Sequence, residues 1–495
     1  MDSKKNYIRV ERHKWPDEIA AEKKRTRKRF AIIASCIVFF FAGFWLSSLT
    51  NGNLTFSKSS TTEVSDSEKF NEIYDIMKNQ WYFGKDIENL SSFLINNAIQ
   101  GLISNEYDAH TNYLEAETAS QFMQKLEGNM VGVGIEYTTI YDEPMITKVF
   151  IDSPAEKSGL KEGDIVKKIN GIELKEKSST EISSLAKGEE GTVATFEIER
   201  NGKKKMFDIT RASVSMTVYG YEKQNTAILE LTSFSERSHE EVESYLTKFK
   251  KNGYHDLVID LRDNSGGYLS TAINIASFFM EEGSVVIKEE NRDGSLVEYK
   301  TKNSTHFDFD HVVILVNENT ASASEALTAC LKEQIGAMVV GVNTYGKGTV
   351  QQPKVFSDGS YFKYTTAEWL TPSGEKINKK GIQPDIEVKL DEARTYRFQE
   401  DDQQYQMDSV GDNVKTAQIY LNFLGYQVDR KDGYYSNETL AAVKRYQEEQ
   451  NQEVDGIIDN DLVMSLLSST QREWSMNEEQ YDVQLKKAIE VAHGN

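Results

Sequence analysis

A chain of 495 residues with 57 Lys and Arg against 78 Asp and Glu carries a formal net charge of -21, a balance that argues against nucleic-acid binding. With 39% hydrophobic residues it can bury several cores, and its two cysteines, Cys36 and Cys330, exclude a disulfide framework. The seven histidines are scattered, His239-Glu240-Glu241 lacks the second histidine of H-E-x-x-H, and no C-x-x-C occurs, so neither a metal nor another cofactor is expected.

Charge divides along the chain. Residues 1–29 hold 11 Lys and Arg against 5 Asp and Glu, a balance of +6 that leaves -27 for the rest. K-K-R-T-R-K-R at Lys23 to Arg29 abuts Phe30 to Thr50, an uncharged run about 30 Å long as a helix, the depth of a bilayer core. We expect 1–29 to be a cytoplasmic tail and 30–50 a retained single-pass transmembrane anchor in the cytoplasmic membrane, with the remainder outside. I-A-S-C at Ile33 to Cys36 lies too near the basic cluster to be a lipoprotein cleavage box, and no A-x-A site follows the run. The Ser- and Thr-rich stretch 51–67 reads as a linker, and 68–114 as a helical segment that includes Y-D-A-H-T-N-Y at Tyr107 to Tyr113.

M-V-G-V-G-I-E at Met130 to Glu136 and S-P-A-E-K-S-G-L-K-E-G-D-I-V-K-K-I-N-G at Ser153 to Gly171 together resemble a PDZ domain, assigned to 115–211. Taken alone, the glycines fit an ordinary sheet strand. The resemblance implies that the backbone of Gly132, Val133, Gly134 and Ile135 captures a chain-terminal carboxylate while the peptide adds as a strand beside it.

The region 212–390 alternates buried strands with helices. H-D-L-V-I-D-L-R at His255 to Arg262 ends in D-N-S-G-G at Asp263 to Gly267 before a helix. Paired glycines let backbone approach a carbonyl, so an N–H of Gly266 or Gly267 is a candidate oxyanion donor; a tight strand-to-helix turn is the alternative. H-V-V-I-L-V at His311 to Val316 leads to T-A-S-A-S-E at Thr320 to Glu325, which opens an amphipathic helix with Ser322 in its first turn and the Ala323 amide as another donor. S-x-x-E read alone is a capping box. Met338 to Val342 and Thr349 to Val355 read as strands flanking Y-G-K-G, and alternation puts Lys347, Thr349 and Gln351 on one face. G-V-N-T-Y-G-K-G at Gly341 to Gly348 departs from a phosphate loop at Gly348, where a hydroxyl belongs. A serine needs a base to become a nucleophile, and a desolvated neutral lysine is one.

L-R-D-N-S-G-G, T-A-S-A-S-E and Y-G-K-G-T-V-Q in this order resemble the carboxyl-terminal processing peptidases, or tail-specific proteases, over roughly Glu68 to Leu390. Y-D-A-H-T-N-Y is similar to the family's D-P-H-[ST] segment with Ala109 in place of proline, and T-P-S-G at Thr371 to Gly374 and G-I-Q-P-D at Gly381 to Asp385 to its closing strands. The resemblance implies Ser322 as nucleophile, Lys347 as general base and Gln351 as the residue that holds the lysine. Ser324 is the competing nucleophile, and the residues alone do not choose. His110 is expected to pack or hydrogen-bond among the N-terminal helices, because the site already has a base.

Residues 391–412 read as an acidic linker, 413–470 as a small helical bundle and 471–495 as a tail. L-G-Y at Leu424 to Tyr426, D-G-Y-Y-S-N-E-T at Asp432 to Thr439, A-V-K-R-Y-Q at Ala442 to Gln447 and the turn Asp455-Gly456 resemble the three-helix peptidoglycan-binding domain; a bundle for packing or homodimer contacts is the alternative. The expectation is an α/β multidomain chain, in which an N-terminal transmembrane helix and a helical segment precede a PDZ-like β-rich module, an α/β serine-lysine protease core that includes 68–114, and the bundle. Its expected activity is that of a membrane-anchored serine endopeptidase cutting extracytoplasmic proteins gripped by their free C-termini. Two other readings are an inactive PDZ and wall-binding scaffold and a penicillin-binding-type enzyme. S-x-x-K occurs at Ser158 to Lys161 and Ser373 to Lys376, but S-D-N and K-T-G are absent.

Overall fold

The computed structural model describes residues 65–494 except 105–106, 128, 141–142, 176, 201, 303, 397 and 402. The expected cytoplasmic tail, the anchor and all but the end of the linker lie outside the described residues, among which no helix is long and apolar enough to cross a membrane.

The chain divides into two compact units after Ala98. In the first, α1 (Asp66–Gln80) begins inside the expected linker because Ser65 and Glu68 close a capping box, the Glu68 N–H donating to Ser65 Oγ at 3.3 Å and the Ser65 N–H to Glu68 Oε2 at 3.0 Å. A 3-10 turn (Tyr82–Asp86) leads to α2 (Leu90–Ile103), within which the division falls, and neither α1 nor α2 buries a residue.

In the second unit, β1 (Asn112–Leu114) and α3 (Ala116–Glu127) precede the PDZ-like body. That body contains β2 (Asn129–Gly132), β3 (Ile135–Ile140), β4 (Glu143–Val149), α4 (Pro154–Ser158), β5 (Ile165–Ile169), β6 (Ile172–Glu173), α5 (Ser179–Ala186), β7 (Val193–Arg200), β8 (Lys203–Thr210) and β9 (Ala212–Ser215). Its main sheet runs β3-β4-β5-β7-β8, while β2 pairs with β9, and Val133, Ile146, Phe196 and Ile209 fill a core of its own.

The larger body follows as β10 (Val218–Lys223), β11 (Thr226–Leu231), α6 (Ser238–Lys251), β12 (Asp256–Asp260), α7 (Leu269–Ala276), β13 (Val285–Asn291), β14 (Leu296–Lys300), β15 (His311–Val316), α8 (Ala323–Ile335), β16 (Met338–Gly341), β17 (Thr349–Val355), β18 (Tyr361–Leu370) and β19 (Ile386–Glu387). A six-stranded sheet in the order β10-β11-β12-β15-β16-β19 is parallel from β11 onward. A second sheet orders β1-β18-β13-β14, and β17 pairs antiparallel with β18. Turns that follow β12, β15 and β16 therefore gather at the carboxyl ends of parallel strands, where open α/β sheets carry their sites.

The continuous apolar runs of β12 and β15 have a direct cause. Ile314 and Val316 join the core under α6, α7 and α8, whereas Val313 and Leu315 pack on the opposite face against Leu485, Ala488, Ile489 and Ala492. Parallel strands covered on both sides need no polar face. The cover on the second side is α14 (Val483–Ala492), so the expected tail is part of the protease body.

Between β19 and α14 the chain forms α9 (Glu392–Thr395), α10 (Asp412–Phe423), α11 (Asn437–Glu449), α12 (Asn460–Met476) and α13 (Glu478–Tyr481). The expected acidic linker contributes Ala393 and Tyr405 to this module's core, with Tyr396 and Phe398 packed against it. Both D-G landmarks are tight turns tied by buried glutamines: Gly433 (φ 88°) donates its N–H to Gln418 Oε1 at 3.0 Å and Gly456 (φ 72°) to Gln447 Oε1 at 2.9 Å. Gln484 Nε2 donates to the Val388 carbonyl at 2.7 Å, so the module leaves and rejoins the protease body at adjacent points. It is an insertion, not an appendage.

Truncation and excision must therefore differ. Deleting 412–495 removes α14, and each buried Leu or Ile lost withdraws about 1.5–3 kcal/mol. The truncated protein is expected to melt well below the parent or to be insoluble. A chain with 391–480 replaced by a short Gly/Ser linker keeps α14 and is expected to melt near the parent. Equal melting midpoints for truncated and full chains would contradict this assignment of the last helix.

Candidate active site

Ser322 is the N-cap of α8, with φ 58° and ψ -117°. A non-glycine residue held there is strained by about 1–3 kcal/mol, and the surroundings over-determine it. On one side Thr320 Oγ1 donates to the Leu261 carbonyl at 2.8 Å, and the Ala321 N–H donates to that of Asn264 at 3.0 Å. On the other lies Glu325, fully buried, whose carboxylate accepts the N–H of Ser322 at 2.8 Å, Gly346 at 2.7 Å and Lys347 at 2.9 Å, and the Thr344 hydroxyl at 2.5 Å. The S-x-x-E spacing is thus more than a helix cap. One carboxylate fastens the Ser322 turn to the Lys347 turn.

Ser322 and Lys347 line a common cavity of about 800 Å³ with His110, Gly266, Gly267, Ala323 and Gln351. Ser324 is fully buried, and its hydroxyl is committed to the Asn264 carbonyl at 2.9 Å, which removes it from the competition left open by the sequence. Burial, and behind it the neighbouring Lys363 ammonium, pushes the Lys347 amine below the ordinary lysine range, with Glu325 pulling weakly the other way. Among the described residues no hydrogen bond joins the Ser322 hydroxyl to the Lys347 amine. Catalytic contacts are often loose in a free enzyme and tighten around substrate.

Gln351 does not hold Lys347 here. Its Nε2 donates to Thr349 Oγ1 at 2.7 Å, and Thr349 Oγ1 lies 3.1 Å from His110 Nδ1. The Gln351–Thr349 bond puts the two side chains together as the alternation predicts, although a register shift against β18 between Val350 and Gln351 falls within that span. His110 is the functional-site neighbour that sequence reasoning placed wrongly: it belongs to the cavity wall beside β17, and burial together with Lys347 lowers its basicity. Its signal was the D-A-H-T stretch itself.

The glycine turn after β12 divides the oxyanion candidates. The Gly266 N–H is donated to Asn264 Oδ1 at 2.9 Å and so is spent inside the turn, a correction to its expected role. Gly266 (φ 101°) is needed for a different reason: a Cβ there would come within 2.9 Å of Ser322 Cβ and 2.8 Å of the Ala321 carbonyl. Among the described residues the N–H groups of Gly267 and Ala323 have no hydrogen-bond partner.

Gly132, Val133, Gly134 and Ile135 line a separate cavity of about 310 Å³ between the β2–β3 connection and α5, with Met130, Ala186, Val214 and Met216 supplying apolar surface. Gly134 (φ 82°) packs against Ser153, which a Cβ would approach to 2.4 Å. The serines of both S-x-x-K pairs are engaged in structural bonds, Ser158 Oγ donating to the Pro154 carbonyl and Ser373 Oγ to Glu333, and Lys376 pairs with Glu290 and Glu368. No cluster of metal-ligating side chains occurs among the described residues.

Residues 225–388 match peptidase family S41, 131–210 a PDZ domain and 410–466 a peptidoglycan binding domain. The chain is 32% identical to the carboxy-terminal processing protease CtpA of Bacillus subtilis, over 93% of this chain and 96% of that one. It is 33% identical to a CtpA-like serine protease of Staphylococcus epidermidis, over 79% of each. Among solved structures, the photosystem II D1 C-terminal processing protease aligns with a TM-score of 0.38 at 24% identity, over 65% of this chain and 92% of that one. The chain belongs to peptidase family S41 and is a carboxy-terminal processing serine protease, a hydrolase.

Proposed function

We propose that Ser322 and Lys347 are the catalytic dyad of this protease, acting outside the cytoplasmic membrane on proteins whose free C-termini dock in the Gly132–Ile135 groove. The arrangement that supports the dyad is the Glu325 carboxylate, which keeps the Ser322 helix and a largely desolvated lysine turn on one cavity. Neutral Lys347 takes the Ser322 hydroxyl proton as Oγ attacks the scissile carbonyl carbon. The oxyanion accepts hydrogen bonds from the Ala323 and Gly267 N–H groups. Lys347 then returns the proton to the leaving amine; water, deprotonated by the same lysine, attacks the acyl carbon, and Lys347 passes that proton to the departing Ser322 Oγ as the acid is released. Membrane attachment rests on the basic flank and apolar run at 23–50, and the peptidoglycan binding domain fits an enzyme stationed at the cell wall.

Ser322→Ala and Lys347→Ala are expected to abolish cleavage of a soluble peptide without changing the melting curve. Glu325→Gln cannot accept all four donors as a charged group and is expected to lower kcat by about 100-fold, since misplacing reacting groups by about 1 Å has that effect. Wild-type kcat in Glu325→Gln would remove the fastening role.

The pH profile carries its own test. Only the neutral amine serves as base, so the rate is expected to rise with pH along a limb lying below the usual lysine value of 10.5. Lys363→Met removes a nearby cation, makes Lys347 easier to protonate and should move that limb to higher pH. A limb that stays in place or moves to lower pH contradicts the lysine-base assignment.

Amidating the substrate's C-terminus removes the charge offered to the Gly132–Ile135 amides and is expected to raise KM while leaving kcat nearly unchanged. Equal kcat/KM for free and amidated peptides would argue against tail capture.

A further inference from the structure

The last helix of the chain is tied to the strand that carries the glycine turn. Arg262, two residues past β12, meets Asp482 in a two-pronged pair, Nη1 to Oδ1 and Nη2 to Oδ2 both at 2.8 Å. Its other edge meets Asp260, with Nε at 3.0 and 3.1 Å from the two carboxylate oxygens and Nη2 at 2.6 Å from Oδ2, and Gln484 Oε1 accepts from Nη1 at 3.3 Å. Only 15% of the Arg262 side chain stays exposed, against 10% for Asp260 and 5% for Asp482, so the pairs are shielded from water and from salt. Asp482 also caps α14, accepting the Leu485 N–H at 2.9 Å.

Arg262 runs directly into the turn. Asp263, the next residue, has φ 58°, and its N–H is held by Asn317 Oδ1 at 2.9 Å. Asn264 then receives the Ala321 N–H and the Ser324 hydroxyl on its carbonyl, and Gly266 lies against Ser322 Cβ. A planar guanidinium clasped on two edges has one orientation, so the turn inherits a fixed starting point.

We propose that Asp482 is a positioning residue for peptide hydrolysis: through Arg262 it holds the turn after β12 so that the Gly267 N–H faces the carbonyl attacked by Ser322. The wall-binding module, inserted between Val388 and Asp482, thereby ends on a residue that the catalytic turn depends on. This rests on the reading of Ser322 as nucleophile and Gly267 as oxyanion donor given above.

The test uses full-length enzyme and a soluble peptide with a free C-terminus. Asp482→Asn keeps a good helix cap but loses the charged clamp, because asparagine caps as well as aspartate. Its kcat is expected to fall by at least about tenfold with KM within about twofold, the pattern of an interaction realised in the transition state. Reaction of Ser322 with a fluorophosphonate, which also builds an oxyanion, should slow in parallel, and Asp482→Glu should recover part of both. Leu485→Ala loosens α14 without touching Arg262 and is expected to lower the melting midpoint while kcat holds at a temperature where the protein stays folded. Wild-type kcat in folded Asp482→Asn, or an equal kcat loss in Leu485→Ala, overturns the clamp. Activity surviving in Ser322→Ala would instead overturn the site assignment beneath it.

Discussion

A carboxylate with no exposed surface must be satisfied by its surroundings, and Glu325 is satisfied by four donors drawn from two loops that are distant in sequence. Hydrogen bonds to a charged group are individually worth about 1.5–3 kcal/mol, enough to offset the strain at Ser322. Withdrawing any donor leaves part of a buried charge unpaired, so the two loops are locked to each other more firmly than either is to solvent. The serine and the lysine therefore line one cavity.

The sheet beneath this arrangement explains why the turns are stable enough to be strained. Strands β12 and β15 are apolar on both faces because helices cover both, α6 to α8 on one side and α14 on the other. Each of the turns at the carboxyl ends of β12, β15 and β16 starts from a strand that cannot shift register without exposing one of two packed faces. The PDZ-like body has its own core, as does the inserted module, so each packs separately from the sheet that carries the Ser322 and Lys347 turns.

Motifs and strands of the protease body were legible because each is local. A serine at a helix mouth, a lysine between two strands and a glycine pair after a buried run announce themselves within a dozen residues. What escaped is what depends on residues meeting from afar. Glu325 looked like an ordinary cap because its other partners, Thr344 to Lys347, come from the next strand connection. Gly266 looked as able a donor as Gly267 until Asn264 claimed its N–H. His110 was assigned to the helices that precede it, whereas β1 pairs with β18 and carries it to the site. The final helix read as a tail because its amphipathic face has meaning only beside β15. Two-sided apolar strands imply a cover on each face, and nothing local says that one of them is supplied by the helix that starts at Val483.

The hydrogen bond between Gln484 and Val388 sets how force would travel. A module fused at a chain end passes tension through whatever lies between it and the other tether. Here both strands of the connection meet the protease body side by side, at the edge strand β19 and the start of α14. A pull on residues 391–481 is therefore delivered as a pair of loads at one corner, to β19 and its partner β16 on one side and to α14 with its Asp482–Arg262 pair on the other. Load on the module would reach α14 first and, through the Asp482–Arg262 pair, the turn after β12.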